Sequence, residues 1–425
     1  MPDVSSDVPR RRLRLVVAGA GIAGLEALVA LHTLAPGRIA PTLIDPGDAF
    51  RLRALDIGAR FGMRPPRPYP LTDLAHDLGA VLVRQRVARV DHSDGTVVVH
   101  SGRRIGYDAL LIATGSRLDP AMSEGVVFDP AHGPDTLASL AAQAAGHTAV
   151  VVPDGVGWTL PAYELALMLS AQQGGEVTLV TAERTPLEAF GRPGARLARE
   201  ELEAAGVALR CGARAVATSP TRLGLEGGDG LDVDRIVHLP RHVGPGIPGL
   251  PRDAAGFVPA GPDGAVPGMA GVFAAGDGTA GAIKQGGLAA QQGERAALSI
   301  AALAGADVGR VPSEPALHGI LLTPRGPRYL RAAIAGADLG AEVSRRPLWW
   351  PPTKVASAWL APWLTSREAN RTAPDGTRRP VRPAGDRRAA SFRRVVVSGV
   401  PGGAPRVVTF ERSAVARSGW RIADA

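Results

Sequence analysis

Three groups of residues in this chain have types and spacings that could do chemistry. Gly19, Gly21 and Gly24 form G-x-G-x-x-G directly after the apolar run LRLVVA, residues 13–18, and directly before an apolar helix-like stretch, residues 25–34. In such a pattern the first glycine permits a tight turn. The second lets the backbone approach a pyrophosphate, and the third lets helix and strand pack closely. The start of the helix then presents free amides and a partial positive charge to phosphates. The next apolar stretch, PTLID, ends at Asp45, 21 residues after Gly24, where a carboxylate can bind ribose hydroxyls. The second group is GVFAAGDGTAGAIKQGGLAAQQGERAA, residues 271–297. It reads as a strand, an acidic turn at Gly276-Asp277 and a helix opening at Gly286-Gly287-Leu288, with Lys284 two residues ahead. The third is the single thiol, Cys211, in VALRCGARAVA. That segment reads as a strand deep in its domain, which suits a buried structural cysteine.

The elements that must position these residues are legible as well. A chain of 425 residues can form two or three domains with buried cores. YDALLIATGSR, residues 107–117, is a strand ending at Ala113-Thr114-Gly115. Further on, AVVVP, LPAYELALML and EVTLVTAE read as strand, helix and strand, the last ending at Glu183. That is the frame of a second dinucleotide-binding half, but its turn is unusual. Counting back from Glu164, the fingerprint positions hold Gly157, Thr159 and Ala162, in a long connection that also contains Gly155 and Trp158. A threonine side chain at the middle position would crowd a pyrophosphate lying on the backbone.

Together the three segments around Gly19, Ala113 and Asp277 resemble the signatures of two-dinucleotide-domain flavoproteins, the group that includes glutathione-reductase-like enzymes. The resemblance covers about residues 13–365 and implies an α/β fold of two Rossmann-like domains, the second inserted into the first, with a C-terminal interface segment. Residues 13–125 and 251–310 would bind FAD, 126–250 would form a degenerate NAD(P)-binding-like domain, and 311–365 a hairpin and lid. It implies FAD held by Gly19, Gly21, Gly24, Asp45, Ala113, Thr114, Gly115, Gly276, Asp277, Gly286, Gly287 and Leu288. Asp277 would bond the ribityl chain, and the helix near Gly286 would point its amides at the flavin. Gly155, Gly157, Trp158 and Glu183 would face a second nucleotide or substrate. Lys284 is the expected catalytic residue, near enough to stabilise an anionic reduced ring or orient a substrate.

Within that group, Pro161-Ala162-Tyr163-Glu164 and the loop before it resemble sulfide:quinone oxidoreductases and flavocytochrome c sulfide dehydrogenase flavoproteins. Those enzymes oxidise sulfide through cysteines near the flavin, whereas the matching place here holds Trp158. The resemblance is therefore one of scaffold. Gln291 and Gln292 match part of a pattern near the quinone in type II NADH:quinone dehydrogenases, with Gly287 at its first glutamine. The expected activity is two-electron transfer from a small donor, with NAD(P)H leading, through FAD to a quinone or other small acceptor. The alternatives are a different reductant on the sulfide-enzyme scaffold, or a flavin-bound protein that has lost its catalytic groups and binds a partner.

Composition limits the remaining possibilities. One cysteine excludes a disulfide framework and an internal dithiol pair, and the nine histidines lack metal-ligand spacing, so no metal is expected. Only Lys284 and Lys354 are lysines; every other basic residue is arginine. The net charge of +8 resides in residues 367–425, with 13 arginines against 5 acids, while the rest of the chain balances. No basic stripe crosses the body, so nucleic acid is not an expected partner. The basic start before the first apolar run mimics a secretion signal, but the fingerprint accounts for that run. Arginine in place of lysine, with high Ala, Gly and Pro, reads as a GC-rich bacterial coding bias, and no other segment has about 18 uninterrupted apolar residues, so a cytoplasmic bacterial protein without a membrane span is expected. Four of six tryptophans lie between Trp349 and Trp363. They suit a lid over the flavin, or a peripheral contact with the inner membrane face through 349–363. Pro351, Pro352 and Pro362 limit any helix there to about two turns. Residues 366–425 read as a basic linker and tail, with a terminal hairpin. The sequence does not fix the oligomeric state.

Overall fold

The computed structural model describes residues 11–58, 67–128, 146–173, 175–309, 314–334 and 340–371. Of the basic linker and tail expected over residues 366–425, residues 366–371 instead continue helix Leu360–Arg371, and the remainder, with its terminal hairpin, lies outside the described residues.

Leu13–Ala18 is the central strand of a five-stranded parallel sheet. It pairs with Ile39–Ile44 on one side and Ala109–Ile112 on the other, and Val81–Val83 and Val272–Ala274 complete the sheet. These strands are almost purely apolar because both faces of a parallel sheet are covered. The helices Ile22–Leu34 and Gly286–Leu303 pack together over one face. They can approach so closely because Gly293 has no side chain: a Cβ there would lie 2.4 Å from the carbonyl oxygen of Ala23.

A second five-stranded parallel sheet is built on Thr148–Val152. Val177–Thr181 and Ala208–Arg210 lie to one side, Arg235–His238 and Val126–Val127 to the other. Helix Leu160–Gln173 follows its central strand. Val272–Ala274 returns to the first sheet after this whole second sheet has formed. The fold is therefore α/β with two Rossmann-like halves, the second inserted into the first. Two short strands, Arg117–Asp119 and Arg241–Val243, carry the chain out and back and pair antiparallel.

The C-terminal segment differs from expectation in two ways. Its hairpin has a third strand, the order being Ala316–Leu321, Arg328–Ala333 and Glu342–Ser344. Its helix, Leu360–Arg371, is 12 residues long, because Pro362 falls in the first turn, where a missing amide breaks no helical bond. Trp359 and Trp363 are buried against the first half, and Trp349 packs edge-on to His318 and Tyr329; only Trp350 of the four is exposed. No helix among the described residues is long and apolar enough to cross a membrane.

Two buried carboxylates fasten this segment. Glu164 receives Lys354 and the amide of Leu322 (2.9 Å), joining second half, hairpin and strap. Glu26, fully buried on the fingerprint helix, accepts the amides of Ala358 (2.9 Å), Trp359 (2.9 Å) and Leu360 (2.7 Å) and so caps the C-terminal helix. Burial outweighs those donors and raises the Glu26 carboxyl from 4.5 to about 7. The folded chain thus holds this proton more tightly than the unfolded chain. The resulting stabilisation is complete below about pH 4.5 and is lost as pH rises through about 7. The variant Glu26→Gln cannot ionise and is expected to lack this slope. Denaturant melts should show the difference between wild type and variant changing by up to about 3 kcal/mol from about pH 4.5 to about pH 8.

Candidate functional site

The fingerprint turn is shaped by three glycines with three different surroundings. Gly19 has φ +111°, and a Cβ on it would lie 2.2 Å from the Ala113 carbonyl oxygen. At Gly24 a Cβ would lie 2.0 Å from the Gly19 carbonyl oxygen, so the helix can meet the strand only through a glycine. Gly21 is different. It is exposed, and its Cβ would meet nothing nearer than the Ala113 carbonyl oxygen at 4.0 Å. The space over Gly21 is therefore left open by the protein itself. Gly21 is also the N-cap of Ile22–Leu34, and no side chain caps that helix. Asp45 sits beside the turn, its carboxylate accepting the amides of Ala20 (2.7 Å) and Gly47 (2.7 Å). Ala113 closes the far wall by donating to the Ala18 carbonyl (2.7 Å), with Thr114 exposed and Gly115 at φ +72° beyond it.

The acidic turn follows the edge strand Val272–Ala274. Gly276, at φ +86°, donates its amide to Gln292 Oε1 (2.7 Å), tying the turn to helix Gly286–Leu303. The Asp277 carboxylate accepts no hydrogen bond from any described residue. Burial raises its pKa, while His242 and Lys284 pull it down. An open backbone at Gly21 and an unanswered carboxylate at Asp277 fit a dinucleotide whose linking chain bears hydroxyls. Lys284 is buried; its ammonium donates to the Thr279 carbonyl (2.5 Å) and lies 3.6 Å from the centre of the Phe257 ring. Desolvation lowers its pKa against the attraction of Asp277 and Asp253. In this arrangement Lys284 braces the acidic turn.

Gln285 is the N-cap of helix Gly286–Leu303. Its Oε1 accepts the Leu288 amide (2.8 Å), so that amide, expected to face the flavin, is satisfied within the chain. Gly286 is packed under Ile22 and Val355; its Cβ would lie 2.9 Å from the Ile22 Cδ1. A Cβ on Gly287 would meet the Gln285 side chain at 2.9 Å. The two glutamines of the quinone-like pattern are engaged inside the protein: Gln292 with Gly276, Gln291 with the main chain of Ala316 (2.8 and 2.9 Å).

In the second half, the residues of the loop before Leu160–Gln173 pack against neighbouring parts of the chain. Gly157 touches the segment ahead of helix Gly286–Leu303, and a Cβ there would lie 1.8 Å from the Ala282 carbonyl oxygen. Trp158 packs edge-on to Phe190, ring centres 5.9 Å apart. Gly155, at φ +80°, lies against Arg241. Glu183 stands at the expected strand end, but its carboxylate is filled from within. It accepts Thr159 Oγ1 (3.0 Å), Tyr163 OH (2.6 Å), Thr181 Oγ1 (3.0 Å) and the Glu188 amide (3.0 Å). Cys211 lies just past the edge strand Ala208–Arg210 and is half-buried rather than deep; burial raises its thiol pKa.

The sequence alone assigned no role to Ser116, His242 or Glu26, and named Tyr163 only within its motif. The first two could have been noticed only by pairing the linking strands. Tyr163 had a signal: a tyrosine one turn into a helix whose neighbouring strand ends in a carboxylate.

This fold and site define a flavin-dependent oxidoreductase of the double-dinucleotide type. Residues 13–293 match the pyridine nucleotide-disulphide oxidoreductase family, and the chain belongs to that family and is an FAD-dependent oxidoreductase. The structure is similar to that of the sulfide:quinone oxidoreductase from the hyperthermophilic bacterium Aquifex aeolicus. That likeness has 19% identity and a TM-score of 0.69, and covers 78% of this chain and 87% of the other. It is also similar to an NAD-dependent persulfide reductase from A. fulgidus (18%, TM-score 0.59, covering 76% and 64%). A third similar structure is a water-forming NADH oxidase from Lactobacillus brevis bound to NADH (16%, TM-score 0.58, covering 76% and 75%). No curated protein matches the chain.

Proposed function

We propose that this chain passes two electrons through FAD from a small reductant to a quinone or other small acceptor, and that the reductant is not a dinucleotide seated on the second sheet. FAD supplies the redox chemistry when bound. The glycine turn and the uncapped helix would hold its pyrophosphate, Asp45 its ribose, Thr114 and Gly115 its flank, and Asp277 its ribityl chain. Gly286 and Gly287 would lie at the flavin, and Lys284 would fix the turn carrying Asp277.

The observation that carries the donor assignment is Glu183. A carboxylate that already accepts four hydrogen bonds from Thr159, Tyr163, Thr181 and Glu188 has no capacity for two ribose hydroxyls. Admitting a dinucleotide would require Tyr163, which is buried, to give up its partner. A second reading keeps NAD(P)H as donor. Family membership favours it, as does the likeness to an oxidase that binds NADH.

Anaerobic mixing of the purified yellow protein with NADH, NADPH or sulfide separates the readings. None of the three is expected to bleach the flavin rapidly, whereas dithionite does. Sulfide should fail because no cysteine stands at the Trp158 position. Rapid bleaching by NADH or NADPH would restore the nicotinamide reading and overturn ours.

A further inference from the structure

The two linking strands bring together residues that lie far apart in sequence. Leu118 stands opposite His242 in their antiparallel register. Side chains alternate along a strand. Arg241 accordingly lines an outer cleft of about 510 Å³ with Asp154, Arg214 and Glu226. His242 turns the other way, toward Ser116 and the acidic turn, and its Nδ1 lies 2.6 Å from the Ser116 hydroxyl oxygen. That contact stands beside the acidic turn. The carbonyl of Gly115, next to Ser116, packs on Gly278, whose Cβ would come within 2.8 Å of it. The charged groups facing His242 are Asp277 on the acidic turn and Lys284 ahead of helix Gly286–Leu303. Arg117, on the partner strand, donates to the Gly244 carbonyl (3.3 Å). Burial lowers the His242 pKa below the ordinary histidine value, with Lys284 adding to the fall and Asp277 opposing it. A hydroxyl that donates to Nδ1 leaves the hydrogen of the neutral ring on Nε2.

We infer that His242, held by Ser116, is a redox-linked proton site: it takes up one proton when the flavin site gains two electrons and releases it when they leave. The inference rests on FAD lying beside Asp277, as proposed above. Reduction adds negative charge to a site that already holds Asp277, and a new anion favours the protonated imidazole. The proton enters at Nδ1 from solvent while the Ser116 hydroxyl turns from donor to acceptor. Only N–H bonds form and break, and one proton accompanies each electron pair in and out.

The test is the pH dependence of the flavin's two-electron midpoint potential in the full-length holoprotein, poised with dithionite and indicator dyes. No physiological donor or acceptor is needed. One proton coupled to two electrons adds about 30 mV per pH unit to the slope. The wild-type protein should show a segment steeper by that amount somewhere between about pH 5 and about pH 9. His242→Gln should lose the segment, and Ser116→Ala should keep it with displaced limits. A slope in His242→Gln equal to wild type would overturn the inference. Should that variant fail to hold FAD, unmoved limits in Ser116→Ala would overturn it. A wild-type chain that binds no FAD refutes the flavin site itself, whereas a yellow protein with unaltered slopes refutes this inference alone.

Discussion

Gly21→Ala is expected to give a correctly folded protein that binds FAD at least about 100-fold more weakly than wild type, a loss of roughly 2.7 kcal/mol. The backbone at Gly21, φ −79° and ψ −171°, suits alanine, and the nearest protein atom to the new methyl group lies 4.0 Å away. The methyl group therefore burdens nothing in the apoprotein, whose unfolding free energy should stay within about 0.5 kcal/mol of wild type. It would stand where a pyrophosphate must touch the backbone. Gly24→Ala is the contrasting control. Its methyl group would lie 2.0 Å from the Gly19 carbonyl oxygen and 3.2 Å from Val17 Cγ1, so the helix must move away from the strand. Gly24→Ala should lose both FAD and stability, the latter by about 1–3 kcal/mol. Fluorescence titration with FAD and denaturant melts of the apoproteins measure the two quantities separately. Wild-type FAD affinity in Gly21→Ala would remove the cradle from the site.

Lys354→Met should be the most destabilising change in the C-terminal segment, at about 3–5 kcal/mol. Lys354 and Glu164 are 7% and 1% exposed, and the pair joins the strap to the second half across 190 residues. Removing the ammonium leaves a carboxylate with one remaining partner, the Leu322 amide. Burial already raises the Glu164 pKa, and Lys354 is the main influence holding it down. Glu164 should therefore become protonated in the variant, and the variant should gain stability on acidification toward about pH 5 relative to wild type. The double variant Lys354→Met, Glu164→Gln should recover much of the loss, because no charge is then stranded. A double-mutant cycle on denaturant melts should return a coupling of about 2–3 kcal/mol. Simple additivity would show that the pair does not fasten the strap.

The first half was readable from the chain because its requirements are local. An apolar strand, three glycines and an apolar helix occupy residues 13–34; sterics within that unit or against Ala113 impose Gly19 and Gly24, while Gly21 leaves its backbone open. The acidic turn and the helix after it are equally local. The frame of the second half was legible for the same reason, and so was its irregular turn. Whether that turn still leaves room for a ligand was not legible. The use made of Glu183 depends on where Thr159 and Tyr163 point once a helix has been laid against a strand 20 to 24 residues further on. Lys284 and Lys354 stood out by composition, but composition could not say that one braces a turn and the other meets Glu164. Ser116 and His242 are 126 residues apart, and Glu26 and Ala358 332 apart. Side-chain periodicity and glycine sterics act over a few residues and so are written in order along the chain. A buried polar group takes whichever partner the packed sheets and helices bring to it, and only the tertiary structure chooses that partner.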